Sequence, residues 1–176
     1  LNSALPDKYA ITRGEHLSKY DGLKTTAKLN MLTKEKGLPV ELHELIWKEK
    51  QSLTLEMLAT TKPNPELVAL FKMLKDDGYT IAICSNSIRK TLLTILSRLE
   101  LIYDVDLIIS NEDVKNSKPH PEMFWCAMSS YSCIPEDTLI IEDSPHGLLA
   151  AARSNAHVMR VGNPNDVTRN NVNREL

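Results

Sequence analysis

The stretch Thr138-Leu139-Ile140-Ile141-Glu142-Asp143-Ser144-Pro145-His146-Gly147 decides how the rest of the chain is read. A short run of strand-forming apolar residues ends in two adjacent carboxylates. A Ser-Pro pair then opens a helix. An apolar run without polar alternation is the pattern of a parallel strand covered on both faces. Open α/β sheets collect their chemistry beyond the C-terminal ends of such strands. Two acids at that point suit a hard cation such as Mg²⁺, which takes oxygen ligands. The same letters also fit a plain strand end followed by a helix N-terminus, where negative charge is favourable anyway.

Working outward, the arrangement recurs twice upstream. Ile81-Ala82-Ile83-Cys84 leads into Ser85-Asn86-Ser87. Leu107-Ile108-Ile109 leads into Ser110-Asn111-Glu112-Asp113 and then Lys118-Pro119-His120-Pro121. Pro63-Asn64-Pro65 marks a boundary, with Asn64 as N-cap and Pro65 at the first helical position. From there the periodicity predicts a helix closed by Gly78, with Leu67, Leu70, Phe71 and Leu74 on one face. Strands follow over 79–84, 105–109, 138–141 and 157–161. Helices alternate with them over 89–99, 122–131 and 145–154. The second of these predicted helices buries Trp125 and Met128, and the first turns Leu92, Leu93, Ile95, Leu96 and Leu99 inward. Strands alternating with helices predict a parallel α/β sheet with right-handed crossovers. Parallel strands bring the three polar clusters to one sheet edge. Hydroxyls, an amide, an ammonium and two carboxylates meet there, which are the partners of a phosphoryl group. Plainer readings stand beside this one. Ser85 and Ser87 fit helix caps, Ser87 especially. Lys118 fits a solvated lysine in a polar loop. His120 and His146 fit caps or solvated groups, with no base or nucleophile paired to them. Cys126 and Cys133 read as packing residues.

Residues 1–62 carry no convincing strand. Helices are predicted over 22–36 and 41–60, the first ended by Gly37 and Pro39. Leu42, Leu45, Ile46, Leu53 and Met57 form the apolar stripe of the second. Short connections make the two antiparallel neighbours in a small helical bundle. Leu1-Asn2-Ser3-Ala4-Leu5 reads like the middle of a helix, and the first residue is not Met, so a natural N-terminus beyond Leu1 is expected. The Asn-rich stretch 163–173 is predicted as a poorly ordered surface segment.

The 176 residues are 42% hydrophobic and 25% charged, with a net charge of −2. That balance gives no basic excess for nucleic acid, and no apolar run approaches the roughly 20 residues that span a bilayer. Three cysteines without metal-ligand spacing fit a reducing compartment. A cytoplasmic monomer with no nucleic-acid or membrane partner is expected.

Ser85-Asn86-Ser87, Lys118-Pro119 and Glu142-Asp143-Ser144-x-x-Gly147, in this order and each after a strand, resemble the haloacid dehalogenase-like hydrolase superfamily. The phosphatase and β-phosphoglucomutase-like branch is the nearest in pattern. The resemblance implies a Rossmann-like parallel sheet with helices on both faces over residues 63–176, and a small helical cap over residues 1–62. It implies an aspartate nucleophile that becomes an aspartyl phosphate, and a second aspartate as general acid and base. By the same resemblance Ser85 and the Asn86 backbone hold the phosphoryl oxygens. Lys118 neutralises the transferring group, Asp143 binds Mg²⁺, and Glu142 supports the metal directly or through its waters. Gly22, Lys24 and Thr25 belong to the cap loop that reads a small phosphorylated substrate.

One motif is absent. The family's Asp-x-Asp follows an N-terminal apolar strand, and no such setting occurs here. Asp104-Val105-Asp106 has the letters but precedes its apolar run, so its acids lie at the wrong strand end. The chain as given therefore lacks a nucleophile and a central first strand, and is expected to be inactive alone. The leading expectation is a Mg²⁺-dependent phosphohydrolase seen without that strand. Phosphoglucomutase-like transfer and a non-catalytic phosphate-binding module are the alternatives.

Overall fold

The computed structural model describes residues 1–175. Its first sixty-odd residues are helical. A helical turn, Arg13–Glu15, runs into a π-helical stretch, His16–Tyr20. Helices α1 (Thr25–Lys36) and α2 (His43–Ala59) follow. Gly37, with φ of +70°, ends α1 in the left-handed conformation that glycine adopts without strain. Leu5, Tyr9, Ile11, Tyr20, Leu29, Leu32, Leu38 and Ile46 form the core of this unit.

The remainder alternates helix and strand. The elements are α3 (Pro65–Asp76), β1 (Ala82–Cys84), α4 (Arg89–Arg98), β2 (Leu107–Ile109), α5 (Glu122–Ser130), β3 (Leu139–Glu142), α6 (Pro145–Ser154), β4 (His157–Arg160) and α7 (Arg169–Val172). Asn64 caps α3 by accepting from the Glu66 and Leu67 N–H groups. Ser144 caps α6 by accepting from Gly147 N–H, with Pro145 at the first helical position. Strand β1 runs parallel to β2 (Ile83 opposite Ile108), and β3 parallel to β4 (Ile140 opposite Val158). Alternation along β3 separates two apolar layers. Ile140 joins Phe124, Met128, Ala150 and Ala151 from α5 and α6. Leu139 and Ile141 join Leu70 of α3 and Val172 of α7 on the opposite face. This is the expected α/β fold with helices on both faces, but the sheet comes in two halves. Among the described residues the sheets β1–β2 and β3–β4 are not hydrogen-bonded to each other, so β1 and β3 each keep an unpaired edge there.

Several local expectations are corrected. Leu1–Leu5 is not mid-helix: it holds one 3₁₀ turn, Asn2–Ala4, and then an extended Leu5. Pro6 disfavours a helical Leu5, and the Asn2 side chain pairs with both backbone groups of Ile11. In α5 the inward residues are Met123, Phe124 and Met128, while Trp125 faces out against His120. Leu93, Leu45 and Met57 are exposed. Helix α2 lies against both the Asn2–Ala4 turn and α4, so its covered face differs from the most apolar stripe. Cys126 and Cys133 are exposed rather than packed. The Asn-rich stretch is ordered by caps: Asn163 and Asp166 close a capping box, Thr168 caps α7, and Val172 is buried. Among the described residues no helix is long and apolar enough to cross a membrane.

Candidate functional site

The C-terminal ends of β1 and β3 meet at one side chain. Lys118 is 6% exposed. Its Nζ donates to the Cys84 carbonyl at 2.9 Å and pairs with Glu142 Oε1. Its ammonium also lies over the Phe124 ring. The other Glu142 oxygen accepts from Asp143 N–H, Ser144 N–H and the Ser144 hydroxyl. Gly147 is required behind it, because a Cβ there would overlap the Glu142 carboxylate. Lys118 and Glu142 thus neutralise each other, and further hydrogen bonds to the Cys84 carbonyl and from the 143–144 backbone help a buried ion pair to be tolerated.

Around this pair several donors and acceptors stay available. Ser85 Oγ accepts from Ser87 N–H at 3.2 Å. Among the described residues its own proton has no acceptor, and the Asn86 N–H has no partner. The Asp143 carboxylate accepts no hydrogen bond and is exposed. Ser87 does not cap α4, contrary to expectation. Ile88 holds the N-cap position, and Glu112 reaches across from the β2 loop to accept from Arg89 N–H at 2.6 Å. Arg89 in turn pairs with Asp113, and with the Ser110 hydroxyl and N–H this holds the Asp113 carboxyl down at about 2. Burial pushes the Cys84 thiol up to about 11, so it stays protonated at neutral pH. Asp106 lies at the opposite strand end, bound to Lys75 and to Ile81 N–H.

The loop at Asp21 and Gly22 is tied onto this edge. The Asn86 amide donates to the Gly22 carbonyl (2.7 Å) and the Lys118 carbonyl (2.9 Å), and its oxygen accepts from Lys118 N–H. His146 Nδ1 lies 2.6 Å from the Asp21 carbonyl. Gly22 has φ of +75°, and a Cβ there would sit 2.7 Å from Ser144 Oγ. Between the N-terminal helical residues and the strand ends lies a cavity of about 710 Å³. It brings together Gly22, Lys24, Thr25, Ser85, Asn86, Lys118, Glu142 and Asp143, all singled out from sequence. It also contains Lys28, whose basic character the sequence displays one turn from Lys24, and Lys50 and Gln51, for which no motif signals a role. The tying roles of the Asn86 side chain and of His146 were likewise hidden, because they depend on contacts between distant segments.

A family model for haloacid dehalogenase-like hydrolases matches residues 2–161. The chain belongs to the haloacid dehalogenase-like hydrolase family. Within it, "Putative phosphatase YhcW" of Bacillus subtilis is 29% identical over 126 residues, which is 72% of this chain and 56% of that protein. The phosphorylated carbohydrates phosphatase of Thermotoga maritima is 28% identical over 106 residues, 60% of this chain and 48% of its own length. The chain spans about half the length of these two relatives. The crystal structure of a hydrolase from Pseudomonas syringae matches 98% of this chain and 79% of its own at a TM-score of 0.77. With 21% identity, that likeness speaks for the fold alone.

Proposed function

We propose that the full-length protein is a Mg²⁺-dependent phosphohydrolase acting on a small phosphorylated metabolite, and that this chain carries the phosphoryl-binding half of its site. The observation that carries the reading is the placement of Lys118 between the β1 and β3 ends, beside a free Ser85 hydroxyl and a free Asn86 N–H. A phosphoryl group set there receives two hydrogen-bond donors and lies near a fixed ammonium. These groups are in place before charge develops, which is how preorganised sites stabilise phosphoryl transfer. The division into a cap (residues 1–62) and a core (residues 63–176) belongs to the same reading, with the cavity between them.

The nucleophile is assigned to a strand outside this chain. The unpaired edges of β1 and β3 support that assignment, since a parallel strand between them would satisfy both. Such a strand would deliver its C-terminal aspartates next to Lys118. Phosphoryl transfer to the first of them and release by water complete the hydrolysis. The donor set fits Mg²⁺ in part. Asp143 has a free, exposed carboxylate, whereas both Glu142 oxygens are engaged, and no group of three acidic, His or Cys side chains occurs among the described residues. Asp143 would hold the metal with the missing aspartates, and Glu142 would act at one remove. When bound, Mg²⁺ supplies charge neutralisation at the transferring group.

The test is turnover of p-nitrophenyl phosphate and of a panel of phosphorylated metabolites by the full-length protein, with Mg²⁺ and with chelator. Metal-dependent phosphate release is expected, and Asp143→Asn should lower it by about 100-fold. An Asp143→Asn protein as active as the parent would remove the metal assignment. Binding of phosphate without turnover would favour a non-catalytic module.

A further inference from the structure

Lys118 is gripped at both of its ends by the end of β1. Its Nζ donates to the Cys84 carbonyl, and two residues further on the Asn86 side chain holds its backbone. Asn86 Oδ1 accepts from Lys118 N–H at 3.0 Å, and Asn86 Nδ2 donates to the Lys118 carbonyl at 2.9 Å. Nδ2 also donates to the Gly22 carbonyl at 2.7 Å, which fixes the rotation of the amide. Among side chains only a primary amide offers an acceptor beside two donors in this way.

Asn86 is itself anchored. Its backbone carbonyl accepts from Asn111 Nδ2 at 2.6 Å, and Asn111 N–H donates to the Ser87 carbonyl at 3.2 Å. Three segments distant in sequence therefore meet at Asn86: the Gly22 loop, the Asn111 loop after β2 and the Lys118 loop. The flanks of Lys118 are held by other groups. The Glu122 carboxylate accepts from Lys115 N–H at 2.8 Å and from Asn116 N–H at 2.9 Å, and Arg153 donates to the Pro119 carbonyl at 3.1 Å. Lys118 itself is held by Asn86 at both of its backbone groups. A lysine ammonium sits on a flexible four-carbon stem, so its position depends on where that stem is rooted. A backbone that drifted here would carry the ammonium off the Cys84 carbonyl and off Glu142.

We propose that the Asn86 side chain is a positioning group: by clamping the Lys118 backbone it sets where the Lys118 ammonium stands relative to the Ser85 hydroxyl. This rests on the phosphoryl reading of that sheet edge. Stabilisation of phosphoryl transfer depends on charge held in place beforehand, and a misplacement of about 1 Å costs as much as about 100-fold in rate. The residue then has two separable parts. Its backbone N–H faces the phosphoryl group, and its side chain acts through Lys118. Truncation to alanine keeps the N–H and removes all three side-chain hydrogen bonds, so it isolates the second part.

Two measurements on the full-length protein test this: turnover of p-nitrophenyl phosphate, and the ¹⁵N resonance of the Lys118 ammonium in lysine-labelled protein. Asn86→Ala should lower kcat by about tenfold to 100-fold, with KM within about twofold of the parent. The same variant should shift the Lys118 ammonium resonance and leave the far-UV circular dichroism unchanged. Asn86→Asp, of nearly the same shape, keeps the acceptor but turns an oxygen toward two carbonyls, and should lose at least as much kcat. Turnover equal to the parent's, a loss confined to KM, or a fall in kcat with the Lys118 resonance unmoved each overturns the inference and leaves the phosphoryl reading standing. Failure of both variants to fold also overturns it, because Asn86 is then a residue of the fold. A parent protein that neither turns over the ester nor binds phosphate overturns the phosphoryl reading and this inference with it.

Discussion

On the core wall of the cavity Lys118 is buried, and its ammonium has two partners, Cys84 O and Glu142. On the opposite, N-terminal helical wall Lys28 and Lys50 are half-buried, and among the described residues neither ammonium has a hydrogen-bond or ion-pair partner. Both walls concentrate positive charge, yet by different means. The core wall is assembled from strand ends and helix caps, so its charges are set by the same contacts that hold the fold. The opposite wall is one side of the N-terminal helical unit, whose own core lies elsewhere, around Leu29, Leu32 and Ile46. Its lysines contribute nothing visible to that core. The difference separates a buried cation held by partners on two strand ends from half-buried cations that have no such partners among the described residues.

The largest expected effect comes from breaking the core pair. Lys118→Ala leaves the Glu142 carboxylate buried without its counter-charge, and should cost about 3–5 kcal/mol in urea unfolding. The double variant Lys118→Met with Glu142→Leu should recover most of that stability but not phosphate binding, because apolar pairs often replace buried ion pairs without loss. A single variant as stable as the parent would show that the pair does not hold the two sheet halves together.

Detaching the walls is the next step. Gly22→Ala combines a left-handed backbone with a close approach to Ser144 Oγ, and should cost about 1–3 kcal/mol. The same change should speed amide hydrogen exchange over residues 22–25, as the contacts from Asn86 and His146 loosen. Unaltered exchange there would mean that the loop is not tied down by these contacts.

The smallest effect has the opposite sign. Lys28→Met keeps the apolar stem and removes a desolvated charge. Thermal unfolding should be unchanged or raised, corresponding to about 0.5 kcal/mol or slightly more. A clear loss of stability would make Lys28 a structural residue and bring the two walls under one rule.

Much of this molecule was legible because its signals are local. Asn64-Pro65 and Ser144-Pro145 start helices with their own side chains. The apolar runs before Ser85, Ser110 and Glu142 are strands, and the order of the three clusters along the chain carries the family resemblance. What the sequence did not disclose depends on distant partners. Glu112 takes the capping role expected of Ser87 because the β2 loop reaches it first. Phe124 rather than Trp125 faces the core, a rotation of one position in a helix that is apolar nearly all round. Glu142 was expected to support a metal directly or through its waters, and its pairing with Lys118, 24 residues earlier in the chain, could not be read from its place beside Asp143. The openness of Lys28 and Lys50 is likewise invisible in sequence, since it consists of missing partners rather than of a motif.

The central claim is that Ser85, the Asn86 N–H and Lys118 form a phosphoryl cradle at the break in the sheet. Titration of the full-length protein with inorganic phosphate, followed by ³¹P NMR and by the amide resonances of residues 85–87, tests it directly. Saturable binding that shifts the Asn86 amide and weakens at least about tenfold in Ser85→Ala is the predicted result. Phosphate that fails to bind, or that binds without moving the Asn86 amide, would contradict the account.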